Sequence, residues 1–315
     1  MYWNEIVALS TGLSSWGLQI GSFLVLTVVQ AGAITLFRIC QTSGAYEFSP
    51  ASSVALTEVC KLGLAVTLHA KHVHETGAQP LANLSPRIVL HYFGLALCYT
   101  VNNQLTFYCL QMVDPGSFAL GKSLAPYLVA LLLRATGQAL NELQWVCILL
   151  QCICLAITQY NACKEAPLLQ PAAYAMLGVA VAITSISSVW NQKVVKGFDV
   201  PVNLQNALLY IFGTVIALAS YALVPDPAHP HGFFHGYGLL ATFLVLFQAF
   251  HGLAVTLVYK YADAIVKNFA NSAVMAILVV VSAYAFGAEA TLTSYLGVAG
   301  VLVTTYAYMN IALKM

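Results

Sequence analysis

Charged side chains are scarce in this protein. Only 7% of its 315 residues are Asp, Glu, Lys or Arg, whereas a soluble domain carries about 25%. Apolar residues make up 60% of the chain, and the mean hydropathy is +0.81. Because so few charges cannot cover a water-facing surface, we expect most of the surface to face lipid.

Several other patterns are also missing. The net charge of +1 provides no basic field for the phosphates of nucleic acid, so we predict no nucleic-acid partner. The eight cysteines contain no CxxC pair, and Cys152 and Cys154 would point to opposite sides of a helix. We interpret the cysteines as small apolar membrane residues rather than as a disulfide or metal framework.

Features of an enzyme or a metal protein are absent as well. The sequence has no Gly-rich phosphate loop, no nucleophile elbow and no convincing acid–base pair, so we predict that it is not an enzyme. One loop holds potential metal ligands, but without tetrahedral ligand spacing: Asp226, His229, His231 and His235. We therefore predict no metal site and no cofactor.

Ten apolar runs are long enough to cross a bilayer as helices, which takes about 20 residues. They lie at about 18–38, 51–70, 88–112, 115–133, 143–160, 169–191, 202–223, 237–259, 266–286 and 291–312. The connections are short. We predict an all-α polytopic membrane protein that forms a single transmembrane domain over 1–315. We expect no cleavable signal peptide, because the N-terminal stretch lacks a basic segment.

The distribution of Lys and Arg predicts that both termini are cytosolic. The side that would carry the termini holds Lys71, Arg87, Arg134, Lys193, Lys196, Lys260 and Lys314. The other side holds Lys164 and, at a helix end, Arg38. Ten helices further suggest two inverted five-helix halves, at about 1–165 and 166–315. Asp114 and Asp263, each followed by a lysine and an apolar run, give this repeat weak support.

Four charges lie within or at the edges of apolar runs, where such residues usually face an interior or a cavity. Glu58 and Lys61 are three residues apart on one helix and can pair, as a structural or gating ion pair. Lys122 and Lys267 are predicted to point into a central cavity and to share an anion such as a phosphate. The alternative for Lys267 is an ion pair with Asp263, four residues earlier.

Uncharged polar residues within the helices are candidates for reading a nucleobase and a sugar. Asn103, Gln104, Asn206 and Tyr210 can do this with amide groups and an aromatic ring, and Ser188 is a weaker candidate. The alternative is that they make hydrogen bonds between helices, as small polar residues commonly do in membrane bundles.

Six segments of the chain form a recognisable series: TEVCKL (57–62), VNNQLTFYCLQMVDP (101–115), LNELQW (140–145), VNLQNALLYIFG (202–213), GFFHGY (232–237) and KYADAIVKNFANS (260–272). They resemble, in the same order, motifs of the nucleotide-sugar transporters of the Golgi and endoplasmic reticulum, within the drug/metabolite transporter superfamily. The resemblance is nearest to the branch that handles pyrimidine nucleotide sugars, such as UDP-galactose, UDP-N-acetylglucosamine and CMP-sialic acid.

The resemblance implies ten helices, cytosolic termini and alternating access. It implies that Lys267 contacts phosphate, that Asn206 and Tyr210 face the nucleoside, and that Glu58 and Lys61 form the acid–base pair of helix 2. Helix 4 departs from the family pattern, since FALGKSLA (118–125) places Ala125 at the usual lysine. Lys122 lies one turn earlier, on the same face.

The function predicted from the sequence is a nucleotide-sugar antiporter. It would exchange a cytosolic pyrimidine nucleotide sugar, UDP-linked before CMP-linked, for a lumenal nucleoside monophosphate. The resemblance places it in the Golgi or endoplasmic reticulum membrane, and the sequence leaves a homodimer open. Because the helix 4 motif is altered, two alternatives stay open. One is a non-transporting membrane scaffold of the same fold, and the other is a carrier of another organic anion.

Overall fold

The computed structural model describes residues 15–40, 46–112 without 78, 80 and 82, 121–159 without 123, 171–224, 231–286 and 290–313. These residues form ten helices and no strand. The helices are α1 Ser15–Ile39, α2 Pro50–Thr76, α3 Pro86–Met112, α4 Ala125–Ala135, α5 Glu142–Gln159, α6 Pro171–Gly197, α7 Val202–Leu223, α8 Leu239–Tyr261, α9 Ala264–Phe286 and α10 Leu292–Leu313.

The prediction of an all-helical chain is confirmed, and each predicted apolar run overlaps one helix. Within the described residues, seven helices are long and apolar enough to cross a membrane: α1, α2, α6, α7, α8, α9 and α10. Helices α4 and α5 are apolar but shorter there. Large apolar side chains such as Val28, Leu90 and Val215 are more than half exposed, which suits a surface in contact with lipid.

Local sequence signals account for where several helices begin and end. Pro50, Pro86 and Pro171 each open a helix, where the missing N–H of proline leaves no hydrogen bond unmade. Helix α2 ends at Gly77, whose φ of 66° allows its amide to donate to the Val73 carbonyl. The segment LNELQW forms a reciprocal cap at the start of α5. The backbone N–H of Gln144 donates to Asn141 Oδ1 at 2.8 Å, and the backbone N–H of Asn141 donates to Gln144 Oε1 at 3.0 Å.

The contacts divide the chain into two units. Unit 1 comprises 1–27, 101–190 and 261–315, and unit 2 comprises 28–100 and 191–260. In unit 1, α5 packs along α10, while α9 contacts α4, α5 and α10. In unit 2, α2 packs along α7.

Glycines bring α5 and α10 close together in unit 1. A Cβ atom at Gly297 would lie 2.6 Å from the backbone nitrogen of Thr158 and 2.9 Å from the carbonyl oxygen of Cys154. Polar groups tie the same helices together, because Thr304 donates a hydrogen bond to the buried Gln151 Oε1. Small residues that allow close approach and polar bonds between helices are the usual means by which membrane helices associate.

Gly297→Ala is therefore expected to destabilise unit 1, because the added methyl group meets backbone atoms that cannot rotate away. Overpacking of this kind costs about 1–3 kcal/mol. The melting temperature of the purified protein checks this. Gly178→Ala is the matched control, since nothing lies within 4 Å of a Cβ at that helical position. Equal melting temperatures for the two variants would contradict the close packing.

Unit 2 has an aromatic cluster where α8 begins. Phe48 packs on Tyr237 with ring centroids 5.3 Å apart, and the Tyr237 hydroxyl lies 2.9 Å from Ser52 Oγ. Gly236, with a φ of 77°, lies directly against the backbone of Glu47. The segment GFFHGY thus fixes the start of α8 against the residues that precede α2.

Candidate functional site

Lys267 lies in the first turn of α9, in unit 1, and its side chain is half-buried. Within the described residues, its ammonium group has neither an ion pair nor a hydrogen bond. Asp263 does not pair with it. Instead, Asp263 Oδ1 accepts a hydrogen bond from the Val266 amide at 2.7 Å and caps α9. The alternative pairing of Lys267 is thus not found, and an uncompensated charge remains in an apolar helix.

Lys122, also in unit 1, is held by neutral oxygen atoms. Its Nζ donates to Thr184 Oγ1 at 2.8 Å, to the Ala180 carbonyl at 3.2 Å and to Asn102 Oδ1 at 3.3 Å. We call these three acceptors the acceptor cradle. Thr184 Oγ1 also lies 2.9 Å from Asn102 Oδ1, which links the two side chains of the cradle. None of the three atoms carries a formal charge that could offset the ammonium.

Lys122 and Lys267 belong to the same unit, where the charge of Lys122 disfavours the ammonium of Lys267. Repulsion between half-buried cations is weakly screened by water, and an anion placed beside both would relieve it. A buried acceptor lies on the same face of α9, one turn beyond Lys267. Asn271 Oδ1 has no hydrogen-bond partner among the described residues. The arrangement can therefore bind an anion with Lys267 and accept a hydrogen bond with Asn271.

Glu58 and Lys61 form an ion pair in unit 2. Lys61 Nζ lies 2.7 Å from Glu58 Oε1, and the two side chains are only 16% and 17% exposed. The same ammonium lies 5.6 Å from the ring centroid of Tyr210 on α7, within the range of a cation–π contact. Glycines provide the space: a Cβ at Gly213 would lie 2.7 Å from Glu58 Oε2, and one at Gly252 would lie 2.7 Å from Lys61 Cε.

Asn206 and Tyr210 lie one turn apart on α7 and are both buried in unit 2. The Tyr210 hydroxyl has no hydrogen-bond partner of good geometry among the described residues. Two other tyrosines of this unit have well-placed hydrogen-bond partners. Tyr92 donates to Gln205 Oε1, and the Tyr99 hydroxyl accepts a hydrogen bond from the Asn191 amide at 2.8 Å. Tyr210 differs from them because its hydroxyl interacts only loosely, with the Thr256 side chain.

The other predicted site residues have varied positions. Asn103 on α3 is exposed and Ser188 on α6 is buried. The side chain of Gln104 lies outside the described residues, as do Asp226 and His229. In the part of the histidine loop that is described, the rings of His231 and His235 are 4.1 Å apart. No group of metal-ligating side chains occurs among the described residues.

The sequence reasoning missed the partners of Lys122. Asn102 and Thr184 both belong to polar stretches of α3 and α6, but nothing in their spacing relates them to Lys122. Their roles depend on the packing of α3 and α6 around residues 121–122. Gly121 marks this contact, because a Cβ there would lie 2.2 Å from Leu177 Cδ2.

Comparison with known proteins identifies the family. The family model described as Nucleotide-sugar transporter matches residues 14–309. The chain belongs to the nucleotide-sugar transporter family. The family resemblance found in the sequence is thereby confirmed, as is the prediction that the protein is not an enzyme. Together with the apolar helices, it makes the chain a multi-pass membrane protein.

Individual relatives resemble this transporter over most of its length. The CMP-sialic acid transporter 2 of Oryza sativa subsp. japonica is 29% identical, over 94% of this chain and 85% of the relative. The CMP-sialic acid transporter 4 of Arabidopsis thaliana is 28% identical, over 89% of this chain and 82% of the relative. A crystal structure with 14% sequence identity shares the fold, with a TM-score of 0.69 over 95% of this chain and 98% of the other.

Proposed function

We propose that this transporter exchanges a pyrimidine nucleotide sugar for a nucleoside monophosphate across an internal membrane. The observation that carries the proposal is the half-buried ammonium of Lys267, which has no partner among the described residues and lies within electrostatic range of Lys122. An ammonium inside an apolar helix is costly, by about 2.5–3.5 kcal/mol at a helix centre. A function that places an anion beside it accounts for its presence.

Phosphate suits this pair of lysines. Compact ammonium groups on flexible stems can follow a phosphate through a change of conformation. Binding would also remove the repulsion between the two cations, so the loaded carrier would switch conformation more readily than the empty one. Exchange would then be favoured over transport in one direction, because a ligand shifts an equilibrium only through its differential affinity for the two states.

The uncharged polar candidates would contact the base and the sugar of the ligand. We propose Asn103, Gln104, Asn206 and Tyr210 for these contacts, with Ser188 as a weaker candidate. The buried hydroxyl of Tyr210 supports this choice, since it makes no hydrogen bond of good geometry among the described residues and could donate to a ligand. The sequence resemblance favours a UDP-sugar, whereas the rice and Arabidopsis relatives are named as CMP-sialic acid transporters. We therefore propose a cytidine nucleotide as the first ligand to test.

We also propose ten membrane crossings in two inverted halves, about 1–165 and 166–315, with both termini cytosolic. The packing within each unit supports the repeat. The pairs α5–α10 and α2–α7 join helices that are five apart in the chain, and a five-helix repeat makes the members of each pair equivalent. Residence in the Golgi or endoplasmic reticulum follows from the family resemblance and forms part of the same proposal.

A nucleotide panel tests the proposal on the purified full chain. CMP and UMP are expected to raise the melting temperature and GMP and AMP to leave it unchanged. A ligand at a hundred times its Kd adds about 2.7 kcal/mol of stability. The proteoliposome assay follows, with CMP inside and labelled CMP-sugar outside. Stabilisation by no nucleotide would favour the membrane scaffold, and equal stabilisation by purines would favour a carrier of another anion.

A further inference from the structure

Lys122 and Lys267 differ in the hydrogen bonds of their ammonium groups. Lys267 has no polar partner for its ammonium among the described residues. The Lys122 ammonium instead donates to Asn102 Oδ1, the Ala180 carbonyl and Thr184 Oγ1. An ammonium has only three N–H donors. A phosphate that takes a hydrogen bond from Lys122 must therefore displace at least one acceptor of the cradle.

We propose that the cradle is a resting position for Lys122, which competes with the phosphate of the ligand for its ammonium. This inference rests on the proposed function, since it assumes a phosphate-bearing ligand. In the empty carrier, Thr184 and Asn102 hold the ammonium. In the loaded carrier, the ammonium leaves Thr184 and donates to a phosphate oxygen. Thr184 is thus a positioning residue that lowers the apparent affinity and stabilises the empty state.

The local packing indicates why Thr184 is the member that acts. Gly121 is pressed against Leu177 of α6, so the backbone before Lys122 is fixed while its long side chain can turn. The contact to Thr184 Oγ1 is the shortest of the three, at 2.8 Å. The Thr184 hydroxyl has another acceptor for its own proton, the Ala180 carbonyl at 2.7 Å. It therefore stays satisfied after the ammonium has left, and release leaves no orphaned donor on α6.

Thr184→Val tests the inference because valine keeps the shape and removes the hydroxyl. The variant loses the hydrogen bond from the Lys122 ammonium to Thr184 Oγ1, and this loss affects only the empty state. The empty protein should melt at a lower temperature, and CMP should bind about tenfold more tightly. Affinity is measured by CMP titration of the melting temperature and by calorimetry on the full chain. Thr184→Ser, which retains the hydroxyl, should restore the parental Kd.

Two further variants separate this role from a general effect of removing a hydroxyl from α6. Ser187→Ala removes a buried hydroxyl that, among the described residues, bonds only to carbonyls of its own helix, and should leave the Kd unchanged. In a Lys122→Met background, Thr184→Val should no longer change the Kd, because the ammonium for which the cradle competes is gone.

An unchanged or weaker CMP affinity in Thr184→Val would overturn the inference, because Lys122 would then bind the ligand from within the cradle. A tighter affinity that persists in the Lys122→Met background would overturn it as well. Failure of the proposed function has a different signature: the parental protein itself would bind no nucleotide, whatever stands at position 184.

Discussion

Lys267→Met is expected to reduce nucleotide exchange by about thirtyfold or more. Truncating one partner of a desolvated charge pair costs about 2–5 kcal/mol, and each 1.4 kcal/mol is about a factor of ten. The ammonium of Lys267 is half-buried and has no other partner among the described residues, so its main contribution should be to the bound anion. Exchange of labelled CMP-sugar in proteoliposomes measures the effect.

The same substitution at a surface lysine provides the control. Lys71 is 70% exposed and lies 3.7 Å from Glu75, so Lys71→Met should exchange at the parental rate. Melting temperatures of both variants show whether they fold. If a folded Lys267→Met variant kept the full exchange rate, the phosphate role of this residue would be wrong.

Glu58→Ala is expected to have the largest effect on stability. It leaves Lys61 as a largely buried cation, 17% exposed, among α2, α7 and α8 without its carboxylate, and breaking a buried ion pair in this way costs about 3–5 kcal/mol. For a chain of this size we expect a fall of roughly 6–20 °C in melting temperature, at about 2–4 °C per kcal/mol. Glu75→Ala, which breaks the exposed pair with Lys71, should change the melting temperature little.

The double variant Glu58→Gln/Lys61→Met distinguishes a structural role of the pair from a gating role. Removing both charges should recover most of the lost stability, because no unpaired ion remains in the bundle. A structural pair predicts that exchange recovers together with the melting temperature. A gating pair predicts a stable protein with slow exchange. If the single variant Glu58→Ala had the same melting temperature as the parental protein, neither role would be supported.

The sequence predicts much of the fold because apolar runs of spanning length are a strong signal. Each of the ten runs overlaps a helix, and residues such as Pro50 and Gly77 stand at helix ends. The pair Glu58–Lys61 was also predictable, since residues three apart on a helix lie on one face. These features depend on a few neighbouring residues and need no knowledge of distant contacts.

The surroundings of Lys122 could not be predicted from the sequence, because they depend on residues that are distant in the chain. The cradle joins Asn102, Ala180 and Thr184, which are far from Lys122 in the chain and meet it only through the packing of α3 and α6. The choice between Asn102 and Asn103 depends on a rotation of about 100° about α3. Hydropathy does not fix that rotation when both neighbours are asparagine. Asn102 contacts Lys122, and Asn103 is exposed.

Binding of one phosphate by both Lys122 and Lys267 is tested most directly by comparing CMP with cytidine. The comparison uses the parental protein, Lys122→Met, Lys267→Met and the double variant. We predict that the parental protein binds CMP at least about a hundredfold more tightly than cytidine. That preference should shrink in each single variant and disappear in the double variant, while cytidine affinity stays within a few-fold. A double variant that still strongly prefers CMP over cytidine would contradict the account.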